Sequence, residues 1–347
     1  MQYLHGGDVY RHSVEYDFSV NINPLGMPKA CASAAKQGID LAGLQYPDWK
    51  GEALCGKLSE KTGVGSRQII LGNGAAELLY TVCQFLRPRF GKIAVPCFQE
   101  YEQALKSVGA KTVFWKLQEQ EGFVLGREFK ETIEGKEDII FLCNPNNPTG
   151  RLIDRAVLRE IAEQCERTGT YLCLDECFLP FLKPEEQKER SMVSELSKYP
   201  HIIVLRAFTK IYGMPGLRLG YACSADEKLV AGMRNILQPW NTSVPAQMAG
   251  FAALSEDAYL EQTYRLIERE RLYLQQELEK GLAKKVFPSS ANFLFFQAEY
   301  DLWEKLLEKG ILIRSCANFT NLSKGYFRIA VRTHEENQEL IRRWREI

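Results

Sequence analysis

DIIFLCNPNNPTGRL occupies residues 138–152. Its first six residues form a nearly unbroken apolar run, too short for a helix and lacking the alternation of a strand with one wet face. They read as a strand buried on both faces of a parallel sheet. The run leads into NPNNPTG (144–150), where Pro145 and Pro148 fix φ and the asparagines can hydrogen-bond their own backbone, so an ordered loop follows the strand. A polar, ordered loop at the carboxyl end of a parallel strand is where α/β proteins place ligands. A structural Asn-Pro turn is the other reading of these seven residues taken alone.

The same rhythm extends in both directions. IIVLR (202–206) repeats the continuous apolar pattern, and runs at Ile69–Leu71, Lys92–Pro96, Thr112–Lys116, Thr170–Asp175 and Leu217–Cys223 alternate with amphipathic segments at Ala76–Leu86, Gln99–Val108, Asp154–Arg167 and Asp226–Leu237. This alternation predicts an α/β domain whose sheet is mostly parallel and covered by helices on both faces. QPWNTSV (238–244) lacks periodicity, contains Pro239 and precedes Pro245, which predicts a boundary. Beyond it, Leu260, Tyr264, Ile267, Leu274, Leu278 and Leu282 recur at helical spacing and predict one amphipathic helix over 257–284. FLFF (293–296), a helix from Leu302, GILIRS (310–315), YFRIAV (326–331) and a helix over Glu335–Arg345 complete a small α+β unit. The organisation expected is an N-terminal segment (1–35) joining the small domain, a large domain (36–240) and a small C-terminal domain (241–347). The charged KPEEQKERS (183–191) reads as a solvated loop.

The 347 residues carry 44 basic and 44 acidic side chains, and 45% are hydrophobic. A chain of this size buries roughly 75% of its unfolded surface, so its cores need no disulfide framework. Zero formal net charge, with no basic block, excludes a general attraction to nucleic acid or to a membrane surface. Ten scattered cysteines without a C-x-x-C, and only four histidines, give no metal-ligand pattern. Free thiols in a reducing compartment are expected. The opening MQYLHGGDVYRHSVEYDF has no basic stretch followed by an apolar core, and no run of 18 apolar residues occurs, so a cytoplasmic protein is expected.

Three further segments carry chemistry. IILGNGAAELLY (69–80) sets Gly72, Gly74, Ala75 and Ala76 between a strand and a helix. The free N–H groups and dipole of a helix start suit a phosphate, although a tight strand-to-helix turn needs the same glycines. TYLCLDECF (170–178) ends a buried strand in Asp175 and Glu176, and a carboxylate there needs a partner or solvent. LRAFTKIYGMPGLRLGY (205–221) places Lys210 in a short polar link beside Thr209, eight residues before Arg218. A lysine lodged in a protein interior has a depressed pKa and can form a Schiff base with an aldehyde.

In series, NPNNPTG, LDE and TK-x(7)-R-x-GY resemble the aspartate-aminotransferase superfamily of pyridoxal-phosphate enzymes, over nearly the whole chain. The resemblance implies an aminotransferase-like fold, pyridoxal 5′-phosphate as cofactor and a homodimer with a shared active site. It implies that Lys210 is the Schiff-base lysine and later the proton carrier, and that Asp175 pairs with the protonated pyridine nitrogen and keeps the ring an electron sink. Asn147 would hydrogen-bond the ring O3′, and Phe98 of PCFQEY would stack on the ring. The Ala75 and Ala76 N–H groups, the Thr209 hydroxyl and Arg218 would hold the phosphate, and Tyr46 of QYPD would reach the phosphate of the neighbouring subunit. Arg328 of YFRIAV matches the arginine for the substrate carboxylate, a fork suited to bidentate binding. Two positions depart from the family pattern: Phe178 stands where a tyrosine is frequent, and Ala207 where a phosphate-binding hydroxyl is usual.

Two branches of the superfamily compete. Histidinol-phosphate aminotransferases share NPNNPTG and the lysine segment. The threonine-phosphate decarboxylases of cobalamin biosynthesis are similar in HGG (5–7), DFSVNINPLGMP (17–28), DE-x-F (175–178), IRSCANF (313–319) and RIAVRTHEEN (328–337). That resemblance implies decarboxylation of L-threonine O-3-phosphate to (R)-1-amino-2-propanol O-2-phosphate. It places His5, Asn21, Arg314, Arg328 and Arg332 around a small phosphorylated amino acid, with the pairing of arginine to anion left open. An aminotransferase using a 2-oxo acid acceptor is the alternative, and a non-catalytic regulator a remote one.

Overall fold

The computed structural model describes residues 5–347, so Met1 to Leu4 of the expected N-terminal segment lie outside the described residues. Among the described residues, seven strands form the central sheet in the spatial order Ile69–Asn73, Leu219–Cys223, Ile202–Ala207, Tyr171–Asp175, Ile139–Cys143, Phe90–Val95 and Lys111–Lys116. Leu219–Cys223 is antiparallel to both neighbours and the other pairings are parallel. The sheet is thus mostly parallel, in an α/β fold.

The apolar run at 139–143 exists because both faces of that strand are covered. Ile139 and Phe141 join one buried cluster with Leu79, Val82 and Tyr101, while Ile140 and Leu142 join another with Leu158 and Ile161. Each such side chain contributes about 1.5–3 kcal/mol by leaving water. The outer strand Lys111–Lys116 is less covered than expected, with Val113 and Phe114 exposed.

A second sheet holds Arg314–Ser315, Tyr326–Ala330, Phe293–Gln297 and Lys285–Phe287, all antiparallel. GILIRS therefore feeds two sheets, since Ile311–Leu312 pairs in parallel with Tyr16–Asp17 near the chain start. The Ala330 N–H also donates to the Phe18 carbonyl (2.8 Å), which brings residues 18–21 beside Arg328.

Some expectations are corrected. KPEEQKERS is a helix, Pro184–Arg190, and not a loop. Proline opens it, Glu185 and Glu186 sit in the first turn and Lys188 and Arg190 in the last, so its charges complement the helix dipole. The long helix ends at Glu277, and the chain leaves through a wider turn, Leu278–Leu282, where Gly281 adopts φ 111°. The strand expected from Leu217 begins at Leu219, because Pro215–Leu217 forms a short turn and Arg218 takes φ 55°. Helices Lys29–Ala42 and Val244–Ala253 were not expected. They pack so closely that a Cβ at Gly38 would lie 2.6 Å from the Pro245 Cα, and the small residues that permit this weaken the apolar periodicity. Among the described residues no helix is long and apolar enough to cross a membrane.

Candidate active site

The carboxyl ends of Ile139–Cys143, Tyr171–Asp175 and Ile202–Ala207, with the turn after Ile69–Asn73, open onto a cavity of about 370 Å³. His5 and Asn21 from the N-terminal segment and Arg314 and Arg328 from the second sheet also line it.

After Ile202–Ala207 comes a single helical turn, Phe208–Ile211. Phe208 and Ile211 are core residues, and Thr209 and Lys210 line the cavity. Burial pushes the Lys210 pKa down to about 8, with the Arg328 charge acting in the same direction.

Asp175, at its strand end, is held from two sides. Its Oδ2 accepts from the Tyr101 hydroxyl (2.8 Å) and its Oδ1 from the Cys177 N–H (2.9 Å). Tyr101 is 1% exposed and its ring stacks on Phe141, 5.5 Å between centroids at 3°. Burial, then the Asp175 charge, raises its pKa, so the phenol stays a donor. The sequence reading passed over Tyr101. The available signal was its position, three residues after Phe98, where one helical turn aligns the two side chains.

The NPNNPTG loop is fixed by its own asparagines. Asn144 Oδ1 accepts from the Ile153 N–H (2.9 Å), and Asn146 Nδ2 donates to the Pro96 carbonyl (3.0 Å) and Thr149 Oγ1 (2.9 Å). Asn147 Oδ1 accepts from Arg328 Nη1, which leaves the Asn147 amide as a donor at the cavity wall.

At the helix start, Ala75–Leu86 follows Gly74 at φ 80°. A Cβ on Gly74 would lie 2.5 Å from Arg218 Nη2, and one on Gly220 would lie 2.4 Å from the Ala75 nitrogen. The two glycines thus let Arg218 and the neighbouring strand close on free N–H groups, a cradle suited to a phosphate.

Arg314 and Arg328 are only 7% and 6% exposed. Arg314 Nη2 donates to Asn318 Oδ1 (2.9 Å) and its guanidinium lies 5.1 Å from the Phe319 ring centroid. Arg328 Nη2 donates to the Ser19 carbonyl (2.7 Å), while its Nε is buried without a partner. Neither forms an ion pair with a carboxylate among the described residues. Burial lowers both pKa values, Arg328 to about 10, and both side chains stay cationic at neutral pH. Asn21 is buried with an unpartnered Oδ1. His5 Nε2 lies 3.2 Å from Glu100 Oε1, and Glu100 Oε2 accepts from Tyr80 (2.7 Å).

The structure therefore brings His5, Asn21, Ala75, Ala76, Phe98, Asn147, Asp175, Thr209, Lys210, Arg218, Arg314 and Arg328 around one cavity. It does not bring in Arg332, whose Nη2 bonds Glu336 Oε1 (2.6 Å) one helical turn on. Tyr46 also lies outside the cavity of its own chain; it is 74% exposed and stacks on Trp240 at 4.5 Å. Phe178 and Ala207 line the cavity without a hydroxyl to offer.

A desolvated lysine, a strand-end carboxylate, an asparagine donor and a phosphate cradle in one cavity fit a phosphorylated pyridine aldehyde. The chain belongs to the aminotransferase class I and II family, whose model matches residues 14–343, and pyridoxal phosphate is its cofactor. Among individual proteins it is similar to the threonine-phosphate decarboxylase of Salmonella typhimurium, at 38% identity over 328 residues, 94% of this chain and 89% of that one. It is also similar to the solved histidinol-phosphate aminotransferase of Clostridium acetobutylicum, at 31% identity and TM-score 0.88, covering 95% of this chain and 98% of that one. The fold is shared too with the Sinorhizobium meliloti histidinol-phosphate aminotransferase in complex with pyridoxal 5′-phosphate, at TM-score 0.88 and 19% identity, covering 100% and 96%.

Proposed function

We propose that this chain decarboxylates L-threonine O-3-phosphate to (R)-1-amino-2-propanol O-2-phosphate. The observation that carries the reading is the pair of buried guanidinium groups, Arg314 and Arg328, with no carboxylate partner among the described residues. Two such cations in one cavity call for a substrate with two anions, and a phosphorylated amino acid brings a carboxylate and a phosphate. The Salmonella decarboxylase relative supports the same reading.

Bound pyridoxal phosphate supplies the aldehyde that takes the substrate amine and the ring that accepts electrons when a bond to Cα breaks. Lys210 holds a proton close to the reacting carbon and, with a pKa of about 8, gives it up and takes it back near neutral pH. The substrate carboxylate would leave as carbon dioxide, the electron pair of the broken bond would stay on the Cα side, and a proton from Lys210 Nζ would replace the lost group on Cα. Asp175, fixed by Tyr101 and the Cys177 N–H, would hold positive charge on the ring nitrogen of the bound cofactor. Arg314 and Arg328 anchor the two anions and so set the rotation about the Cα–N bond, which decides the bond that breaks. Tyr46 serves the site of a second copy in a homodimer, consistent with its exposed stack on Trp240.

Product analysis tests the reading. Cofactor-loaded protein mixed with O-phospho-L-threonine and no oxo acid is expected to release carbon dioxide and the amino alcohol phosphate over many turnovers. The likeness to the Clostridium aminotransferase favours a second reading, amino transfer from histidinol phosphate. One turnover that then stalls until a 2-oxo acid is added would support that reading and reject the first.

Two substitutions probe the roles. Arg314→Gln removes a desolvated cation facing an anion and is expected to raise KM about 10²-fold with kcat less affected. Steady-state kinetics check this, and an unchanged KM would remove Arg314 from the substrate site. Tyr101→Phe removes a hydrogen bond to a charged group and is expected to lower kcat about tenfold with KM and cofactor content nearly constant. Loss of cofactor without a fall in kcat per bound cofactor would show that Tyr101 only shapes the pocket.

A further inference from the structure

Gln99 is the last residue before the helix Glu100–Ser107 and lines the cavity next to Phe98. Its amide meets Asn318, 219 residues away in sequence, in the loop that joins Arg314–Ser315 to Tyr326–Ala330. Gln99 Nε2 donates to the Asn318 carbonyl, and Gln99 Oε1 accepts from Asn318 Nδ2 (3.2 Å). With Nδ2 so engaged, Asn318 turns its Oδ1 to Arg314 Nη2 (2.9 Å). A reversed Asn318 amide would set its NH2 against the guanidinium and its oxygen against Gln99 Oε1, so the two amides fix one another. The same loop is tied down again where Asn321, at φ 73°, donates from Nδ2 to the Leu117 carbonyl (2.8 Å). Arg314 stands on the second sheet, yet its guanidinium is aimed by a residue that follows the central-sheet strand Phe90–Val95.

The kind of acceptor matters as much as its place. An arginine held by a carboxylate has its charge balanced before a substrate arrives, and an incoming anion must compete with that partner. An amide oxygen orients the guanidinium through a hydrogen bond and leaves the charge intact. Arg328 is held on the same plan, by Asn147 Oδ1 and the Ser19 carbonyl (2.7 Å). Among the described residues Asp175 is the one carboxylate that lines this cavity, and it is turned to Tyr101 and the Cys177 N–H.

We propose that Gln99 and Asn318 are positioning residues of the substrate site, which aim Arg314 at a substrate anion with an acceptor that carries no charge of its own. The role rests on Arg314 meeting such an anion, as proposed above.

The probe is 3-phosphoglycerate, which carries a carboxylate and a phosphate but no amine and so binds without entering the reaction. Calorimetric titration into the cofactor-loaded protein is expected to show one site per chain. Gln99→Met removes both hydrogen bonds to Asn318 at similar side-chain length and is expected to weaken binding about tenfold. That loss should vanish in an Arg314→Gln background, because Gln99 acts through that guanidinium. Asn318→Asp keeps an oxygen for Arg314 but adds a counter-charge, and is expected to weaken binding about 10²-fold. Retained cofactor absorbance in each variant reports an intact fold. A loss in Asn318→Asp no greater than that in Gln99→Met, an equal loss from Gln99→Met with and without the Arg314 guanidinium, or no saturable binding of millimolar probe to the unsubstituted protein would overturn the proposal. The expected titrations together with no carbon dioxide from O-phospho-L-threonine would instead reject the decarboxylase reading and leave the positioning role standing.

Discussion

Lys210→Ala is expected to abolish turnover, with a loss of about 10²–10⁴-fold or more, and to remove the visible absorbance of the bound cofactor. Among the described residues no other lysine lines the cavity, so no neighbouring amine can take over. The cavity's other basic side chains are arginines and a histidine, which cannot replace a primary amine at an aldehyde. Normal absorbance and turnover in the variant would remove the cofactor from this site. The depressed pKa adds a second readout. Only the neutral amine attacks an aldehyde, so cofactor uptake by apoprotein should accelerate as pH rises through about 8, well below the ordinary lysine value of 10.5. Arg328→Gln removes a like charge, favours the ammonium form and should move that midpoint upward.

Asp175→Asn is the second large effect expected. The amide oxygen keeps the Cys177 N–H, and the amide NH2 takes the place of Oδ2 and can donate to the Tyr101 oxygen, whose hydroxyl is free to rotate, so fold and cofactor content should survive. The negative charge is what disappears, and with it the stabilisation of a protonated ring nitrogen. A kcat loss of about 10²–10³-fold is expected, the scale seen when one electrostatic stabiliser of a transition state is removed. Single-turnover kinetics at saturating substrate check it, and an unchanged rate would mean that the ring does not need the charge.

Sequence and structure agree where chemistry is local to a strand end. Lys210 and the NPNNPTG asparagines sit in short links after buried apolar runs and Asp175 ends one, and such runs are legible because burial on both faces leaves no polar residue to break them. Arg332 shows the limit. The family resemblance of RIAVRTHEEN placed it at the substrate, yet beyond the strand end the chain turns into a helix and Glu336 takes the guanidinium. Tyr101 was missed for the opposite reason. Its hydroxyl matters only because a strand 74 residues away in sequence ends beside it. Helix Lys29–Ala42 escaped because alanine and glycine buy close packing with the small residues that erase a hydrophobic stripe.

The pairing of Tyr16–Asp17 with Ile311–Leu312 has a consequence for synthesis on the ribosome. The first segment to emerge must wait for nearly 300 more residues before its partner strand exists, and Glu15 waits still longer for Arg343, whose Nη2 it meets at 2.6 Å. Every strand of the central sheet has emerged once Leu219–Cys223 is made and pairs with Ile69–Asn73, but the wall that carries Asn21 closes only when translation is almost complete. A ribosome stalled before residue 311 would thus carry a nascent chain with every strand of the sheet around Lys210 yet without Arg314 and Arg328, the two cations proposed to hold the substrate's anions.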